Sequence, residues 1–311
     1  MTDAKTTQIS RLVTIAVFLV SLSFSGTSLA LTQSAFGYNV SAAGDWGCRA
    51  TTAEETAKRM VTRNPERVLA LGDLSYATTA NCWLDILDKN NLEWPVTKIA
   101  IGNHDDTSST LLNQYLNAFD MAHQYRSFQY RNAHFITLST EIPTDSAQFN
   151  FTKSNLARAA SDPNTDWIIV IMHKPMYTSP NNHGADATMR DLYHPVFDQY
   201  GVDLVLYGHN HSYERSYPLR YDDVGNPATP IKTSSETQNY VNPDGIIFAT
   251  VGTAGKSIYH YDSKNSYIVT QYENYGFLDI NIVENRLVAR FYSNNDGSVK
   301  DQFTITKYDT D

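Results

Sequence analysis

The chain has 311 residues, 41% of them hydrophobic and 20 of them tyrosine, so it can build a substantial core and extended disorder is excluded over most of its length. The formal net charge is -9 and no Lys/Arg cluster stands out, which disfavours a nucleic-acid grip or an anionic membrane surface as partner. At the N-terminus, Lys5 and Arg11 lead into the apolar "LVTIAVFLVSLSFSGTSLAL" from Leu12, with Ser28 and Ala30 as small residues for cleavage. Residues 1–30 are therefore expected to be a signal peptide. An uncleaved anchor is the competing reading, because a membrane span needs about 20 apolar residues. Either way residues 31–311 are expected outside the cytoplasm. An even cysteine count, Cys48 and Cys82, suggests one disulfide in such a chain, with two buried thiols as the alternative.

From Tyr38 onward, short apolar runs alternate with amphipathic segments. "YNVSAAGD", "RVLALGD" and "TKIAIGNHD" read as strands, each followed by a helical stretch: "TAEETAKRMVTR", "NCWLDILDKNN" and "TLLNQYLNAF". "YRSFQYRN" and "AHFITLST" read as an antiparallel pair. The rhythm resumes with the strand "DWIIVIMH", the helix "ATMRDLYHPVFDQYG" and the strand "VDLVLYGH". The last third holds "IIFATVG", "YGFLDINIV", "RLVARFYS" and "DQFTITK", strands with few helical patterns between them. In "FLDINIV", Leu278, Ile280 and Ile282 alternate with Asp279 and Asn281, as in a half-buried strand. The long polar stretch over residues 221–245 reads as a surface loop. This order predicts one α/β domain in which two mixed sheets pack face to face with helices outside, a four-layer α/β/β/α sandwich.

Five apolar strands end in residues that can ligate metal. They deliver Asp45; Asp73 with Tyr76; Asn103 with His104; His173; and His209 with His211. Ligands bind beyond the carboxyl ends of parallel strands, so these groups are expected to converge on one edge. Each has an ordinary explanation when taken singly. Asp after Gly is a common turn, Asn103 could cap a helix, and His173 could simply end a strand. Together, two carboxylates, an amide oxygen, three imidazoles and a phenol are too many polar groups for one site without cations. A two-metal cluster would satisfy them. His123, His134, His194 and His260 match no pattern and are read as ordinary surface or core residues.

The set "GDWG", "GDLSY", "GNHD", "VIMH" and "GHNH" resembles the five-motif signature of calcineurin-like metallophosphoesterases. The tyrosine of "GDLSY" resembles the purple acid phosphatase group, and "GHNHSYERSYPL" its plant branch. The similarity runs from about Gly44 to the C-terminus. The large plant members carry an additional N-terminal β-sandwich, whereas here the first motif follows the apolar segment almost directly. The expected layout is therefore a single catalytic domain over 31–311. The resemblance implies ferric iron at Asp45, Asp73, Tyr76 and His211. It implies a divalent Zn, Fe or Mn at Asp73, Asn103, His173 and His209, with Asp73 bridging. It also implies that His104 and His183 contact the substrate phosphate. Asp105 is expected to orient His104, and Asp186 to supply an acidic group beside His183. Because Asp45 and Asp73 would then share a metal, the loops carrying Cys48 and Cys82 leave neighbouring strand ends, within reach of a disulfide.

The implied activity is hydrolysis of small phosphate monoesters by attack of a metal-bound hydroxide in a secreted acid phosphatase. A phosphodiesterase or nucleotidase using the same metals is an alternative, decided by loops around residues 143–150, 178–188 and 220–245. A non-catalytic secreted protein that binds metal or phosphate is another. Oligomeric state and natural substrate are left open by the sequence.

Overall fold

A computed structural model describes residues 37–48 and 51–308, so the apolar N-terminal segment lies outside the described residues. The first three motifs sit on β1 (Tyr38–Ala43), β2 (Arg67–Leu71) and β3 (Thr97–Ala100). These alternate with α1 (Thr51–Val61), α2 (Asn81–Lys89) and α3 (Ser109–Ala118). The hairpin of β4 (Arg126–Tyr130) and β5 (Ala133–Thr137) leads through α4 (Ser146–Ser161), β6 (Trp167–Ile171) and α5 (Ala187–Tyr200) to β7 (Leu204–Tyr207). The remaining elements are β8 (Tyr213–Arg220), β9 (Ile231–Lys232), β10 (Asn239–Val241), β11 (Ile246–Val251), β12 (Ile268–Tyr272), β13 (Gly276–Val283), β14 (Arg286–Ser293) and β15 (Val299–Thr306).

Two mixed sheets result. One has the order β10-β15-β14-β13-β1-β2-β3 and the other β12-β8-β11-β7-β6-β5-β4, with β9 paired to β8. β1, β2 and β3 run parallel, as do β5, β6, β7 and β11. Side chains of a strand alternate between faces, and the second sheet uses both. Ile169, Ile171, Leu204, Leu206, Ile247 and Ala249 join Val40, Ala42 and Leu69 of the first sheet in one core. Ile168, Val170, Val205, Tyr207, Ile246 and Phe248 face the other way, against Leu156 of α4 and Met189, Tyr193 and Phe197 of α5. Each fully buried apolar side chain contributes about 1.5–3 kcal/mol.

Two elements escaped the apolar pattern because their buried faces are polar. α4 buries Gln148, Thr152 and Asn155. Gln148 exchanges hydrogen bonds with the Ser139 backbone, and Asn155 accepts from Ser127 Oγ at 2.7 Å. β8 buries Glu214 and Arg215, both hydrogen-bonded. Cys48 and Cys82 form a disulfide with Cα atoms 5.6 Å apart, tying the loop after β1 to the start of α2. Among the described residues no helix is long and apolar enough to cross a membrane.

Candidate metal centre

The five motif strands deliver their residues to one edge, and that edge is shared by two sheets. Asp45, Asp73, Tyr76 and Asn103 follow β1, β2 and β3, whereas His173, His209 and His211 follow β6 and β7. The sheets are stitched together there. The His209 N–H donates to Asp45 Oδ2 at 2.7 Å, and the His173 Nδ1–H donates to the Leu71 carbonyl at 2.9 Å. Asp45, Asp73, Tyr76 and His209 all adopt left-handed backbone conformations, with φ of 59°, 52°, 51° and 69°. Non-glycine residues rarely hold this region unless the surroundings enforce it, and such strain concentrates at functional sites. Two glycines open the space for the carboxylates. A Cβ on Gly102 would lie 2.2 Å from Asp73 Oδ1, and one on Gly208 would lie 2.6 Å from Asp45 Oδ2.

The ligating atoms form two groups. In the first, Tyr76 Oη lies 2.9 Å from Asp45 Oδ1 and 2.9 Å from His211 Nε2, and the latter two are 3.3 Å apart. His211 Nδ1–H donates to the Ser257 carbonyl at 2.7 Å, so its Nε2 carries a lone pair. Three lone-pair-bearing atoms thus face one another with a single phenolic proton among them. In the second group, Asp73 Oδ1 lies 3.3 Å from His173 Nε2, which lies 3.2 Å from His209 Nδ1. Asp73, His173 and His209 each bring an atom within 4.8 Å of the others. Beside them Asn103 Oδ1 is buried with no hydrogen-bond partner. An orphaned buried carbonyl and a proton-poor cluster of acceptors both fit cations.

The electrostatics agree with this. Burial, followed by the charges of Asp45 and Asp73, pushes the Tyr76 phenol far above its usual range. Only a strongly polarising cation would draw off that proton near neutrality. Burial alone would lower His173, but the Asp73 carboxylate beside it raises the imidazole to about 10. Burial and the neighbouring His173 and His183 lower His209 to about 2.

Around the ligands, His104 is half exposed, with its backbone N–H donating to Asp73 Oδ1 at 2.9 Å and its Nε2 3.9 Å from Asp73 Oδ2. His183 stacks on His209 with ring centroids 4.2 Å apart. Between the two motif histidines, Asn210 points the other way and donates to Thr178 Oγ1 and to the His183 carbonyl, anchoring that loop.

Two expectations are corrected. Asp105 does not hold the His104 ring. It is fully buried and accepts from the Leu74 and Gly102 N–H groups, each at 2.9 Å, bracing two ligand loops from behind. Burial and the nearby Asp73 raise its carboxyl to about 8. Asp186 caps α5, accepting from the Met189 N–H at 3.0 Å, so it serves the helix rather than His183. No sequence pattern pointed to Tyr259, whose ring stacks on His211 at 4.0 Å, or to Lys256, whose ammonium lies 4.4 Å from the Tyr76 ring centre. Both come from an irregular loop after β11. His134 and His194 are buried and hydrogen-bonded, His123 stacks on Tyr125, and the exposed His260 pairs with Glu273.

A family model described as calcineurin-like phosphoesterase matches residues 39–213, and the chain belongs to that family. Within it the chain is similar to a purple acid phosphatase of Glycine max, at 27% identity over 221 residues, 62% of this chain and 45% of that protein. An uncharacterized protein of Mycobacterium tuberculosis is 38% identical over 111 residues, 35% of this chain and 21% of that one. The chain therefore spans less than half the length of these curated relatives. A solved purple acid phosphatase from Lupinus luteus seeds shares the fold, with a TM-score of 0.75 at 21% identity over 88% of this chain and 54% of its own.

Proposed function

We propose that this protein is a binuclear metal-dependent phosphatase that hydrolyses phosphate monoesters outside the cytoplasm. Asp45, Tyr76 and His211 would hold ferric iron, Asn103, His173 and His209 a divalent Zn, Fe or Mn, and Asp73 would bridge them. The observation that carries this reading is the set of converging acceptor atoms: one phenolic proton among three acceptors, and a buried Asn103 oxygen with no partner. When bound, such a cation pair neutralises a phosphate ester and lowers the pKa of water.

The chain's own residues supply the rest. The Nδ1–H bonds of His173 and His211 to backbone carbonyls fix each ring and leave Nε2 facing the centre. Asp105 and the left-handed turns hold the carboxylates in place without donating to them. His104 and His183 border the centre, His104 beside Asp73 and Tyr76, and His183 over His209. From there they can hold phosphate oxygens and deliver a proton to the leaving oxygen. The Cys48–Cys82 disulfide supports an oxidising compartment.

The test is metal analysis joined to a p-nitrophenyl phosphate assay. Two metal equivalents with turnover are expected. Fewer than two, or a fully loaded but inert protein, overturns the reading. The iron assignment has its own test. Oxidised, iron-loaded protein should show a visible phenolate-to-iron absorption band that Tyr76→Phe abolishes while the fold is retained. An unchanged band in that variant assigns the iron elsewhere.

A further inference from the structure

Lys256 has no role in the ligand set, yet its position is tightly fixed. The N–H groups of Gly255 and Lys256 donate to the Asp45 carbonyl at 3.1 and 2.9 Å, and the Ala254 N–H donates to the Gly44 carbonyl at 3.0 Å. A Cβ on Gly255 would fall 2.3 Å from the Trp46 carbonyl oxygen, so the two segments are in close contact. The lysine therefore moves with the loop that carries Asp45. Its ammonium lies over the Tyr76 face, 4.4 Å from the ring centre, and the His104 ring lies 4.4 Å from that same centre. Among the described residues it makes no ion pair or hydrogen bond through Nζ. A half-buried cation with three unused donors thus shares the Tyr76 ring with His104, a residue proposed to hold phosphate oxygens.

An ammonium resting on an aromatic face gains a cation–π contact and still has donors free. Support of the Tyr76 ring through that contact leaves the three N–H donors without a use. A cation in this position is matched instead by a second negative charge on the substrate, adjacent to the reacting phosphate. We infer that Lys256 is a specificity residue that favours phosphate compounds carrying a second anionic group beside the scissile bond, either another phosphate or a carboxylate. This rests on the phosphatase reading given above and extends it from a reaction to a substrate class.

The test compares wild type, Lys256→Gln and Lys256→Arg on three substrates: inorganic pyrophosphate, phosphoglycolate and p-nitrophenyl phosphate. Losing a charge-assisted hydrogen bond should cost the two doubly anionic substrates about tenfold more in kcat/KM than p-nitrophenyl phosphate, mostly through KM. Lys256→Arg should restore most of that difference. Pyrophosphate falling alone assigns the second anion as phosphate, and phosphoglycolate falling alone assigns it as carboxylate. Calorimetry of metal-loaded protein provides a readout independent of turnover. Pyrophosphate should bind more tightly than orthophosphate to wild type, and the gap should close in Lys256→Gln. Equal losses on all three substrates, or an unchanged calorimetric gap, overturn the inference and leave Lys256 as a support for Tyr76. A wild type that binds both anions but turns over nothing refutes the phosphatase reading. In that case the calorimetric gap still decides the role of Lys256.

Discussion

Buried charge is handled in opposite ways at two places in this sandwich. On β8, the fully buried Arg215 meets Asp301 of β15 through two hydrogen bonds at 2.6 and 2.9 Å. Its remaining donors reach Tyr240 Oη and the Thr237 carbonyl, and Tyr213 Oη donates to the same carboxylate. At the metal edge, Asp45, Asp73 and Asp105 are also buried, yet among the described residues no Lys or Arg forms an ion pair with any of them. A buried carboxylate is strongly disfavoured without a counter-charge, so the first arrangement is complete as it stands, whereas in the second the His173 imidazolium beside Asp73 offsets the carboxylates only in part. A strongly acidic cluster is tolerable here because cations would complete it.

The sharpest way to break this contrast is Asp73→Ala. It removes the group proposed to touch both metals, so metal content should fall below two equivalents and turnover by at least about a hundredfold. The apo protein should lose stability as well, because the carboxylate that pairs with the buried His173 and accepts from the His104 N–H has gone. Metal analysis, turnover and denaturation of the same preparation check all three. A variant that keeps both metals and near wild-type turnover would falsify the bridging assignment.

Arg215→Met should do the reverse. It strands Asp301 in a buried site and should cost about 3–5 kcal/mol in chemical denaturation. Metal stoichiometry of the folded fraction should stay at the wild-type value. Metal loss without destabilisation would show that the two regions are not independent.

Opening the Cys48–Cys82 disulfide should have a smaller effect, on the metal side of the comparison. The bond closes a loop with a sequence separation of 34 and runs beside the Asp45 and Tyr76 turns. Cys48→Ala with Cys82→Ala should cost roughly 2–4 kcal/mol, chiefly by freeing the unfolded chain. Denaturation curves of the two proteins measure it, and coincident curves would show that the bond adds no stability.

The same contrast explains what could be read from the sequence. The motif strands were legible because their interiors are apolar and their ends are not. Asp45, Asp73, Asn103, His173 and His209 stand directly after runs such as "LALG" and "VLYG". The polar faces of α4 and β8 were not legible. Gln148, Asn155 and Arg215 look exposed in a sequence, and only distant partners such as Ser139, Ser127 and Asp301 show that they are buried and satisfied. Asp105 misled for a related reason. Its neighbour in sequence is His104, but its hydrogen bonds go to backbone at Leu74 and Gly102, which no spacing rule predicts. Lys256 and Tyr259 reach the site from a loop whose path is set by backbone contacts to Asp45 and His211.

Lys98 on β3 tests a third solution to the same problem, a buried cation faced by aromatic rings. It is only 6% exposed, and its ammonium lies 3.4 Å from the Trp94 ring centre and 5.3 Å from that of Phe128. Among the described residues no carboxylate pairs with it. Burial, then Arg126 and Arg67, lower its pKa from 10.5 to about 7. The sign of the linkage follows from those two values. Between about pH 7 and 10.5 the unfolded chain holds a proton on Lys98 that the folded chain has lost, so stability attributable to this residue rises with pH across that window. Below it, both states are charged and the folded state bears the full cost of the buried ammonium. Lys98→Met should therefore stabilise the protein most at pH 6, by about 2–3 kcal/mol, because the lost cation–π contact offsets part of the gain. The advantage should shrink steadily toward pH 10. Urea denaturation of both proteins at pH 6, 8 and 10 measures it, and a difference that stays constant with pH would mean that Lys98 keeps its proton and that the aromatic faces suffice as its counter-charge.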